Sequence, residues 1–248
     1  MKFKNALPIM NELGLVIIAT ENYILANNAL INTINEINPK HVLTYTDHPE
    51  LWNEYDKKLI PKINTIDDYN EIILKNLAEH IFLNHYLVIQ YDGFVINNNK
   101  FDASFLKYDY IGAPWPQFSY RNVGNGGFSL RSKKLIEASK ELAIYRRHNE
   151  AEDIFLCRSV AEQLENKYNI RFAQENIAKI FSYESPTHER DTFGFHGLLN
   201  LPIVYKDNLN FLFDNLDSSK LSRKSELLYG LLNCNNFEAE KFIKMLTK

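Results

Sequence analysis

The chain has 248 residues, is 45% hydrophobic and 24% charged, and carries a formal net charge of −3. This supplies enough apolar material for one large domain or a domain with an appendage, and it excludes a disordered chain. There is no strongly basic stretch, so nucleic acid is not an expected partner. The two cysteines, Cys157 and Cys234, form neither a disulfide framework nor a metal-ligand pattern, and the simplest expectation is a reducing, cytoplasmic compartment.

The first apolar run, LGLVIIAT at 13–20, is far shorter than the roughly 20 residues of a membrane-spanning helix. Lys2 and Lys4 loosely imitate the start of a signal peptide. Asn11 and Glu12 then interrupt the apolar region, and no clean cleavage site follows. Residues 15–20 read as a buried strand. A helix over 21–37 follows, with Ile24, Leu25, Ala29, Leu30, Ile31 and Ile34 at helical spacing and Pro39 as its stop. HVLTYT at 41–46 reads as a second strand, 51–58 as a helix or loop, and 67–81 as a helix capped by Thr65 or Asp67. YLVIQY at 86–91 reads as a third strand, rich in β-branched and aromatic residues.

Strand–helix alternation of this kind predicts an α/β fold, a parallel sheet covered by helices. Ligands of such sheets bind beyond the carboxyl ends of the strands. The polar ends Thr20-Glu21, Thr46-Asp47 and Gln90-Tyr91-Asp92 therefore share one rim.

The texture changes after Val95. Asn97-Asn98-Asn99 is a turn, 108–116 (YDYIGAPWP) is an aromatic loop with two prolines, and 121–131 (RNVGNGGFSLR) holds a glycine cluster. Helices are expected over 132–146 and 151–168, short strands at 172–173 and 180–182, and a loop at 193–197. Beyond Lys206, leucines at helical spacing predict two or three helices. The resulting division is a main domain, 1–205, and a helical tail, 206–248. There is no internal repeat.

Five features could carry chemistry. Asp92 is a metal or metal-phosphate ligand at the rim, or the acid of a common Asp-Gly turn with Gly93. Gly124-Asn125-Gly126-Gly127 permits positive φ and close approach of backbone to a ligand, or forms a tight turn before a strand. It matches neither a phosphate-binding P-loop nor a dinucleotide fingerprint. Glu152 and Asp153, in EAED, complement a helix start, or one of them is a general base. His196 is structural, or a metal donor if a second ligand lies nearby. Trp115, between two prolines, is an oriented sugar-stacking platform or packs beneath its loop.

The ordered set QYDGFV, FLKYDYIGAPWP, VGNGGFSLRS, EAEDIFLCR and TFGFHG resembles a bacterial and fungal family of unknown function that is similar to GT-A fold glycosyltransferases. The resemblance spans roughly 15–201, and GNGGFSLRS and YIGAPW are its most specific parts. It implies a GT-A-like, mostly parallel sheet flanked by helices, with a C-terminal helical appendage outside the matched region.

It also implies roles. Gln90-Tyr91-Asp92 stands where the acid-x-acid metal motif falls, with Gly93 beside it. Asp153 is the base, with Glu152 beside it, and His196 is the late metal histidine. Thr20 and Glu21 border the donor, while Trp115 and the 124–127 loop face the acceptor or sugar. The implied cofactor is Mn²⁺ or Mg²⁺. One departure stands out: Gln90 replaces the first acid and lowers the charge of the metal motif.

The expected reaction moves a sugar, UDP-linked by the resemblance, from a nucleotide-sugar donor to a hydroxyl of a glycan or glycolipid acceptor. The expected setting is bacterial surface polysaccharide synthesis, in the cytoplasm or peripheral at the inner membrane face, with the tail as a surface for oligomerisation. Two alternatives are a non-catalytic sugar-binding module, favoured by Gln90, and a sugar nucleotidyltransferase. The latter would place a glycine- and Arg/Lys-rich loop after the first strand, where this chain has ATENYILANN.

Overall fold

A computed structural model describes residues 12–186 and 190–247; Lys2, Lys4 and Asn11 lie outside them. The described residues begin with β1 (Gly14–Ala19), α1 (Tyr23–Ile37), β2 (His41–Thr46) and β3 (Asp56–Leu59). It continues through α2 (Ile66–Leu74), β4 (His85–Ile89), β5 (Tyr110–Ile111) and β6 (Ser129–Ser132). These strands form one six-stranded sheet in the order β3-β2-β1-β4-β6-β5. Pairing is parallel from β3 through β4, and β6 runs antiparallel to both β4 and β5. The expected α/β, mostly parallel architecture is the one observed.

Why the central strands are central follows from their side chains. On β1, Leu15, Ile17 and Ala19 pack into one apolar layer, while Val16 and Ile18 pack into the opposite one. On β4, Leu87 and Ile89 face the first layer, Tyr86 and Val88 the second. A strand buried on both faces has no polar alternation, which is why both read as continuous apolar runs. Helix α1 covers the first layer through Ala26, Leu30 and Ile37, and α2 covers the second through Ile72, Ile73 and Leu74. Thr65 caps α2, its side chain accepting from the Asp68 N–H while Asp68 reaches back to the Thr65 N–H.

After β6 come α3 (Lys133–Leu142), α4 (Glu152–Ile154), α5 (Ala161–Tyr168), α6 (Glu175–Phe181), β7 (Ser182–Tyr183) and β8 (Gly194–Phe195). Four expectations are corrected here. Residues 56–59, DKKL, form an edge strand, and their charges mask its strand character while protecting the edge. The helix expected over 151–168 is interrupted by a π-helical turn, Phe155–Ser159, closed by the Val160 N–H donating to the Phe155 carbonyl (3.0 Å). Of the strand expected at 180–182 only Ser182 is in a strand, Ile180 and Phe181 being helical within 175–181, and residues 194–195 pair with β7 where a loop was expected.

The chain ends in α7 (Leu201–Val204), α8 (Leu209–Asn215), α9 (Ser218–Leu221), α10 (Lys224–Asn233) and α11 (Ala239–Thr247). Their apolar faces share one cluster with Leu25 and Ala29 of α1 and with Phe94 and Phe195. The Tyr205 hydroxyl donates to Asn28 Oδ1 on α1 (2.7 Å), and Phe213 stacks on Phe242 at 4.3 Å. No helix among the described residues is long and apolar enough to cross a membrane.

Candidate active site at the carboxyl ends of β1 and β4

At the end of β4 the backbone doubles back. The Gln90 N–H donates to the Gly93 carbonyl (2.8 Å), and the Gly93 N–H donates to the Gln90 carbonyl (3.1 Å). Asp92 thus sits in a tight turn, and the turn itself directs it. Its carbonyl accepts from the Gly197 N–H (2.8 Å), and the Phe195 N–H donates to the Phe94 carbonyl (3.4 Å). These bonds carry β8 past the turn and deliver His196 to it.

His196 Nε2 lies 3.8 Å from Asp92 Oδ1 and 3.3 Å from Gln90 Oε1. On the other side of the ring, Nδ1 is 3.2 Å from Glu184 Oε1. The Gln90 amide is oriented by donating to the Tyr69 hydroxyl (3.2 Å), which turns its oxygen toward the imidazole. Asn200 fixes the loop by donating to the carbonyls of His196 (2.7 Å) and Glu184 (3.0 Å). Burial alone would pull the His196 pKa down, but the charges of Asp92 and Glu184 outweigh it and lift the value to about 9. Asp92, 6% exposed, is pushed up by burial and held back by His196, Arg223 and Lys220.

The glycine loop closes over this group. A side chain at Gly127 would collide with His196 Nε2 and lie 2.6 Å from Gln90 Oε1, so the position requires glycine through close approach. The left-handed residue of the loop is Asn125, at φ 66°. The Gly126 N–H donates to Asp153 Oδ2 (3.1 Å), and Asp153 Oδ1 accepts from the Ile154 N–H (2.8 Å). Below the loop Arg131, 1% exposed, donates to Glu152 Oε1 (2.8 Å), to the Ser129 hydroxyl (2.9 Å) and to the Gly126 carbonyl (3.3 Å). Burial pushes the Glu152 carboxyl up and the Arg131 guanidinium restrains it.

Together these elements line an open cleft of about 470 Å³. Thr20, Glu21, Gln90, Tyr91, Trp115, Asn125, Gly126, Gly127, Glu152, Asp153 and His196 line it; Asp92, Gly93 and Gly124 sit behind the lining. Trp115 packs beneath its loop and also borders the cavity. It is 6% exposed, in edge contact with Phe118 and in a position that a side chain at Gly124 would invade. The Thr20 hydroxyl accepts from the Ile63 N–H (3.1 Å), tying the end of β1 to the opposite wall.

The sequence reading missed four participants: Tyr69, Arg131, Glu184 and Lys220. An arginine at an inward position of FSLR was a signal for Arg131. Nothing local pointed to Glu184 or Lys220, whose places depend on distant packing.

A divalent ion would find two ionisable donors and an amide oxygen here. Among the described residues no group of three or more His, Cys, Asp or Glu side chains could hold a metal. Asp92 Oδ1, however, is buried without a hydrogen-bond partner, 3.8 Å from the His196 Nε2 that also meets the Gln90 oxygen. That set fits an ion that draws its remaining ligands from substrate and water.

A cavity at the strand ends of a mostly parallel sheet, with carboxylates and a histidine converging on it, lies where open α/β sheets hold their ligands. The protein's fold is shared with a solved glycosyltransferase involved in the glycosylation of the major capsid of PBCV-1. The similarity has a TM-score of 0.51 at 12% sequence identity, over 75% of this chain and 92% of that one. Residues 54–196 match the family described as "Protein of unknown function (DUF5672)", and the chain belongs to that family. No curated protein matches it in sequence.

Proposed function

We propose that the protein is a GT-A-like, inverting glycosyltransferase that moves a sugar from a nucleotide-sugar, a UDP-sugar in the first instance, to a hydroxyl of a glycan or glycolipid acceptor. The observation that carries this reading is the convergence of Asp153, the glycine loop, Trp115 and the Gln90–Asp92–His196 group on one cavity at the ends of β1 and β4.

In this reading the donor's nucleotide lies along the wall formed by Thr20 and residues 63–66, and its diphosphate points toward the 90–93 turn. A Mn²⁺ or Mg²⁺ ion held by Asp92, Gln90 and His196 would neutralise the diphosphate as a Lewis acid when it leaves. Asp153 accepts the acceptor's hydroxyl proton as that oxygen bonds to the anomeric carbon and the bond to the nucleoside diphosphate breaks. One base acting opposite the leaving group inverts the configuration. Through the Gly126 N–H, Asp153 also holds the glycine loop in register. Glu152, neutralised by Arg131, positions that loop from below. Trp115 offers the edge of an apolar face to a sugar ring, and the exclusion of water by these walls protects the donor from hydrolysis. Surface polysaccharide synthesis at the cytoplasmic membrane face is the setting we propose.

A thermal-shift screen of nucleotide-sugars with Mn²⁺ tests the reading, because a ligand bound by the native state alone raises the midpoint. At least one nucleotide-sugar should stabilise the protein. Asp153→Asn should bind it as well as wild type yet lose about 100-fold or more of its transfer or hydrolysis rate. Absence of any nucleotide-sugar binding, or near-normal turnover by the variant, would reject it. Binding without turnover in the wild type would instead favour the sugar-binding module.

A further inference from the structure

Among the described residues that line the cavity, Lys220 is the one lysine or arginine, and it comes from the C-terminal helices. The other charged side chains of the lining, apart from His196, are the carboxylates Glu21, Glu152, Asp153 and Glu184. A nucleoside diphosphate would bring further negative charge into that wall. Glu152 is already neutralised by Arg131, and the His196 ring is enclosed by the 90–93 turn and Gly127. Between the end of β1, along which the nucleotide lies in the reading above, and the 90–93 turn toward which its diphosphate points, Lys220 is the cation of the lining.

The lysine is placed there by a defined latch. Asn22, buried and left-handed at φ 49°, follows the rim residues Thr20 and Glu21 directly. Its Oδ1 accepts from the Asp217 N–H (2.8 Å), and the Lys220 N–H donates to the Asp217 carbonyl (2.9 Å). This turn carries the Lys220 side chain over the end of β1, where Nζ lies 2.6 Å from Glu21 Oε1. Both partners keep some access to solvent, 22% and 40%, so the pair is weak and exchangeable. The two phosphates of the diphosphate, which together carry more charge than one carboxylate, compete for the same ammonium through charge-assisted hydrogen bonds. Lys220 and Arg223 also lie close enough to Asp92 for their charges to act on it, so the tail's field reaches the turn at the end of β4.

We propose that Lys220 is a diphosphate-binding residue: the C-terminal helices complete the donor site by supplying the cation that receives the phosphates of the nucleotide-sugar, exchanging Glu21 for them on binding. This rests on the glycosyltransferase reading and extends the site beyond the segment shared with the family, since residues 54–196 include neither Glu21 nor Lys220.

Calorimetric titration of the full chain in buffer with Mn²⁺ tests it, using UDP, GDP, CDP and dTDP and, for whichever binds, the matching nucleoside. Lys220→Ala should weaken the nucleoside diphosphate about tenfold or more, a change of about 1.4 kcal/mol. The nucleoside should bind it as tightly as wild type, and Lys220→Arg should recover most of the loss. Equal diphosphate affinity in Lys220→Ala would overturn the assignment while leaving the glycosyltransferase reading intact. So would equal losses for nucleoside and nucleoside diphosphate, which would make the lysine a strut of the tail. A wild type that binds none of the four would remove the glycosyltransferase reading and this inference together.

Discussion

At the scale of single residues, the site turns on a histidine held between two carboxylates. Asp92 and Glu184 flank the His196 ring at 3.8 and 3.2 Å, and the Gln90 oxygen accepts at the edge. Gln90 is where the expected pattern has an acid. A third carboxylate would crowd the cluster with negative charge, whereas the amide accepts from the imidazolium and donates to Tyr69 in one fixed orientation. In the metal-free protein, the His196 ring should titrate near pH 9 in an NMR titration, well above its usual 6.5. Its folded value is raised, so the stability that the pairing contributes is complete below about pH 6.5 and fades as pH climbs through about 9. A midpoint at or below 6.5 would contradict that balance of charges.

Elements position what residues supply. β6 carries Arg131 inward beside β4, the short helix α4 starts at Glu152, and the glycine loop lies between them. The Arg131–Glu152 pair is nearly closed to water, and Glu152 Oε2 is buried with no partner. Removing the guanidinium alone strands a buried carboxylate. Arg131→Met should therefore cost about 3–5 kcal/mol in denaturant unfolding. Adding Glu152→Gln should recover part of the loss. A single variant of wild-type stability would show that the pair is not the support of the loop. The elements invisible to sequence patterning fail for identifiable reasons. The edge strand 56–59 has lysines where alternation would otherwise show. Helix α6 is seven residues long, too short for its periodicity to stand out, and β7 and β8 exist by pairing with each other.

At the scale of the molecule, the tail is the main question. Leucines at 209, 212, 227 and 231 share a cluster with Leu25, Ala29, Phe94 and Phe195, so helices from both ends of the chain form one apolar interior. Unfolding followed by circular dichroism and by tryptophan fluorescence, from Trp52 and Trp115 in the main body, should show coincident transitions. Leu212→Ala should lower the midpoints of both probes together, with a loss of about 2–5 kcal/mol. A separate early loss of helical signal, with the tryptophan transition unmoved, would instead mark the tail as an independent unit.

The layer architecture was legible in the amino-acid sequence, because strands buried on both faces and amphipathic helices announce themselves through side-chain periodicity. The sequence also marked Asp92, the glycine loop, Glu152, Asp153 and His196 as candidates, since their residue types suit only a few chemistries. Which of them meet is set by packing between distant segments. The 90–93 turn and β8 are adjacent through hydrogen bonds between segments some hundred residues apart, and that pairing sets His196 against Asp92. Lys220 reaches the rim of β1 through one bond from Asp217 to Asn22 and an apolar cluster spanning the chain. Contacts between distant segments leave no local pattern, because each is specified by the shape and charge of both partners once the rest of the chain has packed.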